Sequence, residues 1–275
     1  MARLLSAASS RKRDGRTHSQ DVFYHDANLG LYAVVDGGSS TPGPNLDDRP
    51  LRAAQDVTDI LIEECRDWPL LLASADQHRR LLQRAICRAH EAILGRACVA
   101  QVAAVRVHPG SSNWATVAIA SVGSVRVYHR KSRSGELAVL TVDNTDDSTS
   151  NSDLFRAQMN QLYRDGLCAA KDHGEAVRFR TGQHFSGPCL GDPMTFNTPR
   201  AQTTSLEPGD VLLIASNGLG NLTTREIAVI LSKYATEPQA ASDALVEAAY
   251  DRSRDASHLR ARPGDITALV VYSQP

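Results

Sequence analysis

Short apolar runs, punctuated by Gly, Pro, Ser and Asp, alternate in blocks with longer stretches of helical period. Leu31 to Val35 is an apolar run that stops at Asp36, Gly37 and Gly38. Its length, its valines and the glycines predict a buried strand ending in a turn. Val211 to Ala215 behaves alike, running into Ser216, Asn217 and Gly218. Gly264 to Tyr272 is a strand that starts at Asp265. Val22 to Tyr24 predicts a further strand. Val102 to Val107 and Trp114 to Val122 read as a hairpin about Pro109 and Gly110. Val125 to Arg130 and Leu137 to Val142 continue that meander, joined near Ser134 and Gly135.

Between these strands the period changes. Ala54, Val57, Leu61 and Cys65 recur at spacings of three and four, as do Leu82, Ile86, Ala89 and Ile93. Each set is one apolar stripe of an amphipathic helix, with the charged run His78, Arg79, Arg80 on a solvated face. Thr223 with Glu226 is a capping box opening a helix whose stripe is Ile227, Ile230 and Leu231. A last helix is expected from about Pro238 to Arg252. Ser39 to Pro50 reads as a loop, Asn144 to Asp153 as a polar loop, and Phe155 to Tyr163 as a short helix. Strands and helices fall in blocks and do not alternate one by one. That predicts antiparallel sheets with helices packed outside, an α+β layered fold. With no internal repeat and no linker, residues 1–275 are expected to form a single domain.

Composition narrows the classes. The chain has 275 residues, 42% of them hydrophobic, and a net charge of −1, so no bulk charge draws it to nucleic acid or to an anionic membrane. No apolar stretch approaches the ~20 residues that span a bilayer. Cys65, Cys87, Cys98, Cys168 and Cys189 include no close-spaced pair, which argues against a zinc site or a disulfide framework and for a reducing compartment. The cytoplasm is the expected location. The first thirteen residues hold Arg3, Arg11, Lys12 and Arg13 and no acid, so the mitochondrial matrix is the alternative. The competing reading of that segment is a first strand.

The candidate chemistry lies at the ends of strands. Asp36, Asn217 and Asp265 each put an oxygen on rigid backbone at a strand terminus, and together could converge on a hard cation such as Mg²⁺ or Mn²⁺. Asp-Gly and Asn-Gly are also ordinary turn dipeptides. Gly218-Leu219-Gly220 between strand and helix is a partial dinucleotide loop without its third glycine. His18 could supply a ligand, though a lone loop histidine is more often simply exposed.

The order of motifs resembles the metal-dependent protein phosphatases, the protein phosphatase 2C or PPM type, from about Leu4 to Tyr272. Arg16 followed by Gln20-Asp21 stands where the family has Arg and, later, Glu-Asp. Asp36-Gly37 matches the Asp-Gly strand end. Gly123-Ser124-Val125-Arg126 matches Gly-Asp-Ser-Arg, and Thr141 with Asp143-Asn144 the threonine and Asp-His pair. Leu190-Gly191 matches a Leu-Gly pair, Pro208 to Leu219 the strand ending in Ser-Asp-Gly, and Asp265-Ile266-Thr267 the closing Asp-Asn-Ile-Thr.

The resemblance implies a four-layer α-β-β-α sandwich with a two-metal site at one end. There a metal-activated water would attack phosphorus in a phosphoserine or phosphothreonine. It implies that Arg16 binds phosphate, that Asp36 bridges the metals with the Gly37 carbonyl beside it, that Asp265 holds the first metal, and that Asp21 acts through water. Three positions depart from the pattern. Gln20, Asn217 and Ser124 (the last at an added-metal position) replace carboxylates, and each swap keeps an oxygen but loses a charge on which dication affinity depends. The expected protein is therefore a pseudophosphatase with impaired metal binding, working through a protein or phosphoprotein partner or within an assembly. A weakly active Mn²⁺- or Mg²⁺-dependent phosphatase is the alternative.

Overall fold

A computed structural model describes residues 3–39, 48–68, 73–96, 98–109, 114–141, 188–193, 195–255, 258 and 260–274. Among the described residues, ten strands form two five-stranded antiparallel sheets. One sheet has the order β2 (Asp21–Asp26), β3 (Leu31–Ser39), β4 (Cys98–Pro109), β5 (Ala115–Val122), β8 (Arg200–Leu206). The other has the order β1 (Leu4–Arg11), β10 (Ile266–Ser273), β9 (Val211–Ala215), β6 (Arg126–Arg130), β7 (Leu137–Val139). Helices α1 (Asp48–Arg66) and α2 (Ala75–Ile93) cover the first sheet; α3 (Thr224–Lys233) and α4 (Pro238–Arg254) belong to the second.

The alternation of side chains along each strand makes this layering possible. In β3, Leu31, Ala33 and Val35 pack on α1 and α2, while Tyr32 and Val34 point between the sheets. In β10, Ala268 and Val270 meet α4, and Leu269 and Val271 face inward. Leu212 and Ile214 of β9 and Val105, Val117 and Ile119 of β4 and β5 complete the inner layer. The order is thus the α-β-β-α sandwich that the residue pattern and the resemblance imply.

Several local expectations change. The predicted meander does not continue past β5. Gly123, at φ 92°, turns the chain out of the first sheet, and β6 pairs with β9 in the other. The hairpin β6–β7 forms as expected about Gly135. Strand β3 does not stop at Val35; it runs on through Asp36, Gly37 and Gly38, which pair with Gln101, Ala100 and Val99 of β4. The basic first segment is β1, paired along its length with β10. Strand β8 was not foreseen, since Arg200–Leu206 is polar and lies at a sheet edge. The loop Asn144 to Asp153, the helix Phe155 to Tyr163, Asp143-Asn144 and Cys168 lie outside the described residues.

Candidate functional site at one end of the sandwich

The inward faces of β3, β9 and β10 become polar at the same end of the sandwich. Asp36 continues the inward series of Tyr32 and Val34; Ser216 follows Leu212 and Ile214; Asp265 and Thr267 precede Leu269. Asp21 opens β2 directly opposite Asp36 in the β2–β3 register. The fold therefore brings together Asp21, Asp36, Asp265 and Asn217.

Hydrogen bonds assign each group a partner. Asp265 is buried, and its carboxylate accepts from the Arg13 amide at 2.6 Å, the Gln20 amide at 2.8 Å and the Arg16 guanidinium at 2.5 Å. Arg16 and Asp265 thus form one ion pair. Asn217 turns its amide nitrogen to Asp36 and donates to the carboxylate at 2.8 Å. Gln20 is buried and acts through its backbone, the carbonyl accepting from the Gly37 amide at 3.1 Å. Ser124 donates its hydroxyl and its amide to Gln101 Oε1, at 2.5 and 3.1 Å, and Gln101 pairs with Asp36 across β3–β4. His18 is exposed. Thr141 accepts the Val127 amide at 3.0 Å and so holds β6.

Asp21 is the outlier. Both of its oxygens are buried, and neither has a hydrogen-bond partner among the described residues, although the Ser216 and Thr267 hydroxyls lie near enough to oppose the rise of its pKa. Burial first, and the neighbouring Asp36 second, push its carboxyl well above the ordinary range. Asp36 keeps an accessible edge yet lies deep in the sandwich end. Burial raises its carboxyl too; Asp265 adds to the rise, while Arg262 and Arg16 oppose it. Arg262 was not singled out in the sequence. It is half-buried, and desolvation lowers its pKa while Asp36 pulls it back up.

The chain matches no protein-family model and no curated protein sequence. Solved structures do match. The catalytic domain of the serine/threonine phosphatase PstP, a Mycobacterium tuberculosis protein, in a structure with two manganese ions, superposes with a TM-score of 0.68 at 19% identity over 100% of both chains. The fold is that of the PPM-type phosphatases. The PPM Ser-Thr phosphatase MsPP of Mycobacterium smegmatis, in complex with cacodylate, gives 0.65 at 22% identity over 98% of each chain. The S. agalactiae serine/threonine phosphatase gives 0.69 at 19%, over 99% of this chain and 100% of its own. These figures agree with the motif order read from the sequence, and at such identities they carry the PPM fold and not the activity.

Whether a PPM-type metal pair suits these residues is a question of donors. Among the described residues no three His, Cys, Asp or Glu side chains gather closely enough to hold one ion. Asp265 already accepts from two amides and a guanidinium, and Asn217 presents N–H, not oxygen, to Asp36. The set as arranged does not fit a two-metal centre.

Proposed function

We propose that this PPM-fold protein is a pseudophosphatase whose metal centre is too weak for turnover, and that it acts by binding a protein, in particular a phosphorylated segment, or as a subunit of an assembly. The observation that carries this reading is the Arg16–Asp265 pair. The expected phosphate-binding cation and the expected first metal ligand occupy one another at 2.5 Å. Three neutral residues, Gln20, Asn217 and Ser124, at carboxylate positions of the pattern add to it. A groove of about 590 Å³ beside the site, lined by Arg13, Tyr250, Arg254, His258 and Gly264, offers cationic surface to an anionic segment. Its acid, Asp14, accepts from the Tyr250 hydroxyl at 2.6 Å and pairs with Arg254 at 3.6 Å, so Arg13 is the cation that the groove leaves in excess.

The test pairs metal binding with turnover. Mn²⁺ and Mg²⁺ are titrated calorimetrically, and p-nitrophenyl phosphate and a phosphopeptide are assayed, for the native chain and for Gln20→Glu with Asn217→Asp. Silence in the native chain, with metal binding or turnover in the double variant, supports the reading. A phosphopeptide that binds in EDTA, followed by fluorescence anisotropy, supports the partner class. One observation favours the second reading, a weakly active Mn²⁺- or Mg²⁺-dependent protein Ser/Thr phosphatase: the buried, unpaired Asp21 carboxyl opposite Asp36 leaves room in the charge balance for one cation. Metal-dependent turnover by the native chain, lost in Asp36→Ala, would establish it.

A further inference from the structure

Of the four sheet edges among the described residues, three are blunted against the addition of a further strand. Strand β7 is three residues long, β2 carries an aspartate at each end, and β8 opens on Arg200. Strand β1 is different. It is eight residues long, and Leu4 to Ser10 holds no charge, no proline and no glycine. One side pairs along its whole length with β10, and the other carries no strand among the described residues. The Gln274 amide donates to the Arg3 carbonyl at 2.8 Å, which sets the phase of the ladder. Arg3, Leu5, Ala7, Ser9 and Arg11 bond to β10, so the amides and carbonyls of Leu4, Ser6, Ala8 and Ser10 point to the free side. Beside the end of β1 lies an open groove of about 700 Å³, lined by Ser9 and Arg11 of the strand and by Ala240, Asp243, Ala244 and Glu247 of α4. Arg11 pairs with Glu247 at 2.6 Å. Asp243 accepts from the Ser9 hydroxyl and the Gln239 amide and meets no cation among the described residues.

We infer that β1 is a self-pairing edge: a second copy of this chain adds its own β1, antiparallel, and joins two five-stranded sheets into one continuous sheet across a two-fold axis. Centred on Ala7, the pairing uses every outward group, Leu4 meeting the partner's Ser10 and Ser6 the partner's Ala8. Three features fit this occupant. The first is charge. The partner's Arg3 arrives where Arg11, Asp243 and Glu247 stand, so two guanidiniums meet two carboxylates. The second is shape. The partner's Leu5, half-buried in one copy, comes opposite Ser9 at the groove that Ala240 and Ala244 keep open. The third is spacing. Helix α4 packs on both β1 and β10 and so rides above the gap between them. Two such helices, each over its own sheet, then lie about 10 Å apart, the distance of packed helices. The other sheet ends at the same place, since His25 of β2 bonds the Ser6 hydroxyl at 2.9 Å. Phe23 of β2, opposite the inward Val34 yet 37% exposed, is covered by the same partner.

The experiment is sedimentation equilibrium of the full chain from about 1 to about 100 μM, with far-UV circular dichroism to check the fold. The native chain is expected to reach the mass of two copies. Ala8→Pro removes an outward amide that β10 does not use, and Ala244→Lys puts a charged side chain into the groove. Each should weaken the dimer at least about tenfold with the circular dichroism unchanged. Ala7→Cys, under oxidation, should link two chains, because the two Cα atoms face each other about 4.5 Å apart across the axis. A pairing slipped to centre on Ala8 gives that link in Ala8→Cys instead and keeps the self-pairing edge. If Ala8→Pro does not fold, Ala244→Lys and the cysteine variants decide. A native chain that stays monomeric overturns the inference, as does a dimer that neither Ala8→Pro nor Ala244→Lys weakens, or one that links at neither cysteine. A monomer that gains mass only with an added extended peptide would mean that β1 takes a foreign strand and not its own copy. A dimer through β1 needs nothing from the metal centre, so turnover by the native chain, or its silence, leaves it standing.

Discussion

Asp21 and Asp210 are both buried aspartates, and their neighbours give them opposite signs. Asp21 has no hydrogen-bond partner among the described residues and faces Asp36; burial, then that charge, raises its carboxyl. A group raised on folding contributes stability below its unfolded pKa of about 4 and loses it as pH climbs through the folded value. Asp21→Asn should therefore unfold at higher urea than the native chain at pH 7 to 8, by about 1–2 kcal/mol, with the gain vanishing near pH 4. A gain that does not depend on pH would show that charge is not its origin. For Asp210, burial alone would raise the carboxyl, but the His129 ring at 2.8 Å and the Ser132 and Glu207 amides at 2.8 and 3.0 Å outweigh it and hold it low. A depressed group contributes above its unfolded pKa and loses that contribution as pH falls through the folded one. Asp210→Asn should cost about 1–3 kcal/mol at pH 7, and the deficit should close below pH 4. Asp36, Asp265 and Asn217 were legible in the sequence because Asp36 and Asn217 follow apolar runs and Asp265 opens one. Arg262 was not, because one arginine in a loop says nothing until Asn221 clamps its backbone.

Gly37 shows where an element depends on a single missing atom. The residue pattern predicts that the glycines after Asp36 close a turn. In the structure they continue β3, and Gly37 carries no positive φ. Its need is space: a Cβ would stand 2.2 Å from the Pro50 carbonyl at the start of α1 and 2.9 Å from that of Gln20. Gly37→Ala must therefore push α1 or β2 away from the strand that carries Asp36, and a loss of about 3 kcal/mol or more is expected. Gly264, also beside the site, has open space about its Cβ position and serves as the control; Gly264→Ala should fall within about 0.5 kcal/mol of the native chain by chemical denaturation. Equal losses would refute the steric account. Most other elements were readable. The stripes of α1 and α2 and the Thr223–Glu226 capping box fold as the sequence indicates. Two features were hidden for physical reasons. Strand β8 buries little apolar surface, so no period-two signal marks it. The step from β5 to β6 between sheets turns on one glycine conformation, which hydrophobic patterning does not record.

For the whole molecule the question is whether two sheets, each with its own helices, unfold as one body. Each sheet packs on its own helices through a separate apolar cluster, and the two halves meet through a third, inner one. If that inner layer couples them, damage on one side must be felt on the other. Leu269 lies in β10, fully buried on the inner face. Both tryptophans belong to the opposite half: Trp68 follows α1 and packs against that cluster, and Trp114 precedes β5. Tryptophan emission therefore reports a half that Leu269 is not part of. Leu269→Ala should lose about 2–5 kcal/mol, the usual range for a buried leucine. A single cooperative domain requires that the tryptophan midpoint shift by as much as the far-UV circular dichroism midpoint. A tryptophan transition left where it was, while the circular dichroism splits in two, would mean that the sheets are separate folding units. The site between them would then be an interface that opens when either half loosens. Coincident shifts would instead make the position of Asp36 relative to Asp265, across the two sheets, as stable as the core itself.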